Sequence, residues 1–188
     1  MKGIVFNLLE EVIRQEHGED MWDGMLETAQ LDGIYTSLGN YDYEELMKLV
    51  AAVSIQLDLP PDAIIRWFGC NALTLLAGKY PQFFEPHRSM RTFLFTLNTI
   101  IHPEVRKIYP GAHVPVFDFD STSDDMLTLG YSSERPLCSF GEGLIEGAAA
   151  HFGETVTVKQ SLCVHRGDSK CVFQILFGKP NGVAEPRS

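Results

Sequence analysis

The apolar residues change their period at Pro110-Gly111. Before that turn they recur at three- and four-residue steps, the spacing of a helix with one buried face. After it, short alternating runs take over, with one more helical stretch between them. The stripe Ile4, Val5, Leu8, Leu9, Val12, Ile13 predicts a helix over 2–16. Further helices are expected from Asp20 to Ala29, from Tyr43 to about Leu57, and from Pro60-Pro61-Asp62 to Gly78. Leu31 to Asn40 and Tyr80 to Pro86 read as breaks. Beyond Pro110-Gly111, strands are expected at Val114–Phe119, Met126–Tyr131, Thr155–Gln160 and Cys171–Phe177, with a polar turn over Asp120–Asp125. A helix over Pro136–Phe152 separates the two strand pairs. This order predicts an α+β domain over 1–177: an N-terminal helical part and a C-terminal part with a four-stranded antiparallel sheet. Residues 178–188 read as a disordered tail.

The formal net charge is −10, which argues against a nucleic-acid groove or an anionic membrane surface and suits a basic protein partner. No apolar run reaches membrane-spanning length, and the N-terminus carries no export pattern, so a cytoplasmic location is expected.

Two stretches carry chemistry. Residues 93–109 read as helix, with Leu94, Leu97, Ile101, Val105 and Ile108 as the stripe. His102 lies one residue off it, on a mixed face with Phe95, Asn98, Val105 and Tyr109. Pro103 removes a helical donor and biases His102 away from the α region, so the helix either kinks there or stops and restarts with Pro103 at its first position. His102 is then a re-aimed side chain: a ligand, or a hydrogen-bonded residue at a kink. The second stretch is Tyr131-Ser132-Ser133-Glu134-Arg135. In an extended chain Tyr131, Ser133 and Arg135 share a face and offer a phenol, a hydroxyl and a guanidinium fork, a set suited to a pair of carboxylates. Alone, it is equally a polar strand end.

Together these residues give the chain its resemblance to a known family. With Met1-Lys2-Gly3-Ile4-Val5-Phe6-Asn7, Pro115 and Gly143-Leu144-Ile145-Glu146-Gly147, they make it similar to bacterial haem nitric oxide/oxygen-binding (H-NOX) domains, which are related to the haem domain of soluble guanylate cyclase. The resemblance covers nearly all of residues 1–177. It implies haem b (iron protoporphyrin IX) between the two parts, with His102 as iron ligand, Tyr131, Ser133 and Arg135 on the propionates, and Pro115 distorting the porphyrin. It also implies a distal pocket of Val5, Leu9, Thr74, Phe140 and Leu144. Oxygen-binding members place a tyrosine hydroxyl where ungapped alignment here puts Phe140, which has no donor. Thr74 is the one candidate donor left. The expectation is a nitric oxide sensor that also binds carbon monoxide and forms no stable oxygen complex. Its signal would pass to a separate histidine kinase or diguanylate cyclase, with no catalysis of its own.

Four cysteines remain: Cys70, Cys138, Cys163 and Cys171. The last three, with one more ligand, would make a structural zinc site, or they are free thiols. Some family members bind zinc at the matching cysteines and use a histidine where this chain has Gln160. His165 is the candidate substitute; an incomplete site would favour thiol oxidation. Two alternatives stand beside the sensor. An enzyme built on His102 or a cysteine lacks a residue placed to orient the base. A haem-free interaction domain would use the cysteine hairpin as its partner surface or redox sensor.

Overall fold

The computed structural model describes residues 1–178. Seven α-helices run α1 Gly3–His17, α2 Glu19–Ala29, α3 Tyr43–Leu57, α4 Pro61–Lys79, α5 Met90–Phe95, α6 His102–Ile108 and α7 Cys138–His151. The strands are β1 Val116–Ser123, β2 Met126–Ser132, β3 Val156–Leu162 and β4 Cys171–Phe177. They form one antiparallel sheet in the order β1-β2-β4-β3. The α+β expectation holds. Among the described residues, no helix is long and apolar enough to cross a membrane.

Two hydrophobic cores lie side by side. The first gathers α1 to α4 around Phe6, Leu9, Trp22, Leu49 and Phe68, all essentially without solvent contact. The second packs α7 and the His102 region on the sheet. Its centre is Leu127 and Leu129 on β2 with Phe173 and Ile175 on β4, each at 0% exposure. Leu127 faces Ile175 and Leu129 faces Phe173 across the ladder, so the two-residue period puts all four on one side. Each such burial contributes roughly 1.5–3 kcal/mol.

Helices α4 and α7 join the cores at a glycine crossing. A Cβ on Gly143 would stand 2.0 Å from the Arg66 carbonyl oxygen, and one on Gly69 would stand 2.4 Å from that of Phe140. Only glycine lets these backbones approach so closely. Arg66 spans the crossing, with its Nε 2.8 Å from Glu146 and Nη1 3.3 Å from Glu142.

The structure departs from the sequence expectations at three places. The helix expected over 93–109 is three pieces, starting earlier. Ser89 caps α5, its hydroxyl accepting from the Thr92 N–H, and Met90 is fully buried. A π-turn over Leu97–Ile101 follows, with the Ile101 N–H bonded to Thr96 O and the His102 N–H to Leu97 O. His102 itself stays in the right-handed helical region, at φ −65° and ψ −37°, not displaced from it as Pro103 suggested. The extra residue in the π-turn shifts the bonding by one position and makes room for the Pro103 ring in the first turn of α6. Second, β1 continues through the expected turn to Ser123, across a bulge between Asp120 and Ser123. The Arg91 guanidinium holds that end, donating to Ser121 Oγ at 2.7 Å and Asp124 O at 2.6 Å. Third, β2 stops at Ser132 and the chain bends before Arg135. Gly178 donates to Thr155 O at 2.7 Å; the rest of the expected tail, 179–188, lies outside the described residues.

Candidate functional site

His102 opens α6 at the edge of the second core. Its ring stacks on Phe117 of β1, centroids 5.5 Å apart and planes at 30°. Burial, reinforced by the Arg106 charge, pushes the imidazole down to about 4, against a pull upward from the Pro115 backbone. The ring is therefore neutral at physiological pH, and a lone pair is free for a metal. Its Nδ1 is buried with no hydrogen-bond partner. Such an atom is rare in a folded chain and leaves the imidazole with unused bonding capacity. Pro115 lies just ahead of β1, where a residue without an N–H costs no ladder bond.

Val105 and Tyr109 follow on the same face of the His102 helix. With Ile4 and Val5 of α1, Val114 and Arg135 they line a cleft of about 130 Å³ between the two cores. Among the described residues the Arg135 guanidinium has no ion-pair partner. Its backbone N–H donates to Ser133 Oγ at 3.2 Å.

Only Tyr131 of the triplet lies on a strand: β2 ends at Ser132, so Ser133 and Arg135 follow the bend beyond it, with the Ser133 hydroxyl beside the Tyr131 phenol. Tyr131 turns into the core, 6% exposed, and burial pushes its phenol up to about 12 while Ser133 draws it down. Ser133 lies exposed in the neighbouring groove with Ala112, His113 and Val114, residues that the Arg135 cleft shares. The cause is the bend: with Pro136 next, the chain must leave the sheet to reach α7, and Leu137 N–H closes a turn on Arg135 O.

The expected distal residues divide. Val5 lines the cleft, but Leu9 is fully buried in the first core. Phe140 and Leu144, one turn apart on α7, face different cores. Phe140 packs on Phe68 at 5.0 Å in the first, and Leu144 joins the second. Thr74 is exposed, on the opposite side of α4 from Phe68 and Ala72. Ile4, Val114 and Phe117 are site residues that sequence reasoning missed. Val105 and Tyr109 were visible as neighbours on the His102 face.

The three cysteines converge. The Sγ atoms of Cys138, Cys163 and Cys171 all lie within 4.8 Å of one another, and Cys138 and Cys163 are 3.8 Å apart. Two thiolates on one tetrahedral zinc would be about 3.8 Å apart, given bonds of about 2.3 Å. The Val164 N–H donates to Cys171 Sγ at 3.4 Å. Burial raises the Cys138 thiol to about 12 and the Cys171 thiol in the same direction. His165 is not the fourth member: its exposed ring is 2.8 Å from Pro136 O, held away by its place in the short 3-10 turn Val164–Arg166. Gln160 stands there instead, its buried amide against the Cys138 thiol.

A neutral buried imidazole thus opens the helix that lines a cleft with apolar walls from two cores and, among the described residues, an unpaired guanidinium. The family model for haem-NO-binding proteins matches residues 2–160, and the chain belongs to that family, a haem-binding gas-sensor fold. Solved structures agree over nearly the full length. An H-NOX protein from S. oneidensis in the Fe(II)NO ligation state is 30% identical, with 95% of this chain and 100% of that one covered and a TM-score of 0.88. The IWP-051-bound H-NOX from Shewanella woodyi, in the Fe(II)CO ligation state, is 33% identical over 100% of both chains, with a TM-score of 0.82. The Fe(II) unliganded H-NOX protein from K. algicida is 27% identical, covering 97% of this chain and 99% of that one, with a TM-score of 0.85. The residues here fit a haem: the unpartnered Nδ1 of His102 marks an unsatisfied imidazole, and Arg135 is a cation without a counterion among the described residues.

Proposed function

We propose that this chain is a cytoplasmic nitric oxide sensor in which His102 holds the iron of a haem b. The observation that carries this reading is the buried, neutral His102 imidazole with an unsatisfied Nδ1, on the helix face that lines the seam between the cores. When bound, haem would supply a ferrous iron able to take a diatomic gas. The chain's residues do the rest. Tyr131, Ser133 and Arg135 hold the propionates, Arg135 from the cleft and Ser133 from the adjoining groove. Pro115 presses on the porphyrin from beside His102. Val5 from the cleft, with Phe140 and Leu144 where α7 meets the two cores, would keep the distal side apolar, with Leu9 in the core behind Val5. With Thr74 turned to solvent and Phe140 carrying no donor, bound oxygen finds no hydrogen bond, whereas nitric oxide and carbon monoxide need none. The π-turn and α6, which carry His102, and the seam between the two cores would form a two-state element that the bound ligand biases. The chain passes that state to a separate histidine kinase or diguanylate cyclase and catalyses nothing itself. The relative characterised in the Fe(II)NO state supports the choice of gas.

The test is an absorption spectrum of protein reduced without oxygen, then exposed to air or to nitric oxide. A ferrous haem with one axial histidine, no stable complex in air, and loss of the histidine on nitric oxide are expected. A stable oxygen complex overturns the apolar-wall argument; no haem after reconstitution overturns the reading.

The 3.8 Å spacing of Cys138 and Cys163 favours a second role: the three thiols take a structural zinc without a histidine. Zinc per chain by elemental analysis tests it. Metal-free protein whose thiols oxidise rapidly would instead make this hairpin a redox sensor.

A further inference from the structure

Strand β1 is an edge: β2 pairs with one side of it and, among the described residues, no strand pairs with the other. Phe117 on β1 faces Tyr131 in the register, yet its own N–H and C=O bond elsewhere. Both go to one side chain. Asn98 Nδ2 donates to Phe117 O at 2.6 Å, and Phe117 N–H donates to Asn98 Oδ1 at 3.2 Å. A primary amide carries a donor and an acceptor side by side, as a peptide unit does, so Asn98 acts as a one-residue strand on the free edge. In an antiparallel ladder, a facing pair without mutual hydrogen bonds brings its side chains closest. Phe117 and Tyr131 are such a pair, their ring centroids 5.8 Å apart. The other face of this arrangement is His102, which stacks on the same Phe117 ring.

Asn98 also lies inside the π-turn, four residues before His102. It therefore holds both things that orient the imidazole: the irregular helix carrying it and the aromatic plane supporting it. We infer that Asn98 is a positioning residue for His102, clamping the Phe117 backbone so that the imidazole meets the haem iron at one fixed angle. The inference rests on the proposed reading of His102 as the iron ligand. A side chain of the same size without the amide would fill the space but leave two backbone groups of a half-buried strand unpaired. The edge would loosen and the imidazole would gain freedom to turn.

The test uses the full chain with Asn98→Leu and Asn98→Asp, the latter keeping only the acceptor for Phe117 N–H. Three readouts are needed. Amide hydrogen exchange at Phe117, read in the haem-free protein, reports the clamp without any cofactor. The iron–histidine stretching band of the ferrous protein reports the angle and strain at His102. The rate of histidine loss on nitric oxide reports the consequence. Asn98→Leu is expected to speed Phe117 exchange and histidine loss by on the order of tenfold each, the scale of a lost hydrogen-bond pair. It should also shift and broaden the stretching band. Asn98→Asp should move all three less, in the same direction, and carries the test if the leucine variant does not fold. Unchanged Phe117 exchange overturns the clamp. Faster exchange with a wild-type stretching band overturns the positioning role and leaves Asn98 a fold residue. A His102→Gly variant whose ferrous spectrum matches wild type would sink the ligand reading instead, and the exchange data distinguish the two failures.

Discussion

Gly143→Ala tests the crossing on which the two cores meet. Helix propensity alone favours alanine, by about 1 kcal/mol at an interior helical position. The structure reverses the sign. The added methyl would stand 2.0 Å from Arg66 O, 2.9 Å from Arg66 C and 2.9 Å from Cys70 N, all backbone atoms that cannot rotate away. Since contacts under 3.0 Å do not occur, α4 and α7 must part by about 1 Å. Overpacking of this kind costs roughly 1–3 kcal/mol, and rigid backbone places it at the upper end. Less the propensity gain, the net loss is about 2 kcal/mol. A chain of this size loses about 2–4 °C of Tm per kcal/mol, so a drop of about 4–8 °C is expected. The assay is thermal unfolding by circular dichroism, with Gly78→Ala as control. A Cβ at Gly78 meets nothing within 4 Å, so that variant should melt at or slightly above wild type. If Gly143→Ala also melts at or above wild type, the close approach of α4 and α7 is wrong, and with it the account of how the cores are joined.

Phe140→Tyr adds a hydroxyl to the distal wall beside Phe68; spectra in air should show an oxygen complex whose dissociation is slowed about tenfold, the scale of one added hydrogen bond. No such complex would mean that position 140 does not face the bound gas. For pH, the folded value of His102 is depressed, so its contribution to stability is present above the ordinary value of 6.5 and is lost as pH falls through about 4. Denaturant titrations of haem-free protein should show that slope, and His102→Gln should flatten it; an unaltered slope would place the titration elsewhere. His102→Gly supplied with imidazole should keep haem by absorption but stop the partner's activity from responding to nitric oxide; a partner that still switches like wild type would exclude His102 release as the trigger. Because burial holds the Cys138 and Cys171 thiols protonated, zinc uptake at the three-cysteine cluster should release protons, measurable in weakly buffered solution, and Cys138→Ser should abolish it.

Much of this was legible in the chain. Helical and two-residue periods located the helices and strands because each element buries one face, and burial is what the periods record. Pro103 signalled an irregular backbone, since a missing N–H is visible in any context. It did not reveal the form of the irregularity: a π-turn and a continuous helix have the same residues, and only the hydrogen-bond shift at Thr96 and Leu97 separates them. The direction of Thr74 was not legible, because a resemblance carries no rotational phase about α4; the structure leaves it exposed. His165 was misplaced because closeness in sequence to Cys163 says nothing of where a turn aims a ring.

By itself the sequence determined the α+β order, the position of His102 at a helix irregularity, and the residue types a haem edge and a thiol site require. Those follow from local chemistry and from spacing within single elements. The tertiary structure alone decided which groups meet: that Arg135 reaches the cleft with Ile4 and Val105, that three cysteines share one point, and that Asn98 completes the edge of β1 under Phe117. Such meetings join residues far apart in the chain. They depend on helix crossings and strand register, which are fixed by the packing of whole faces rather than by any one stretch.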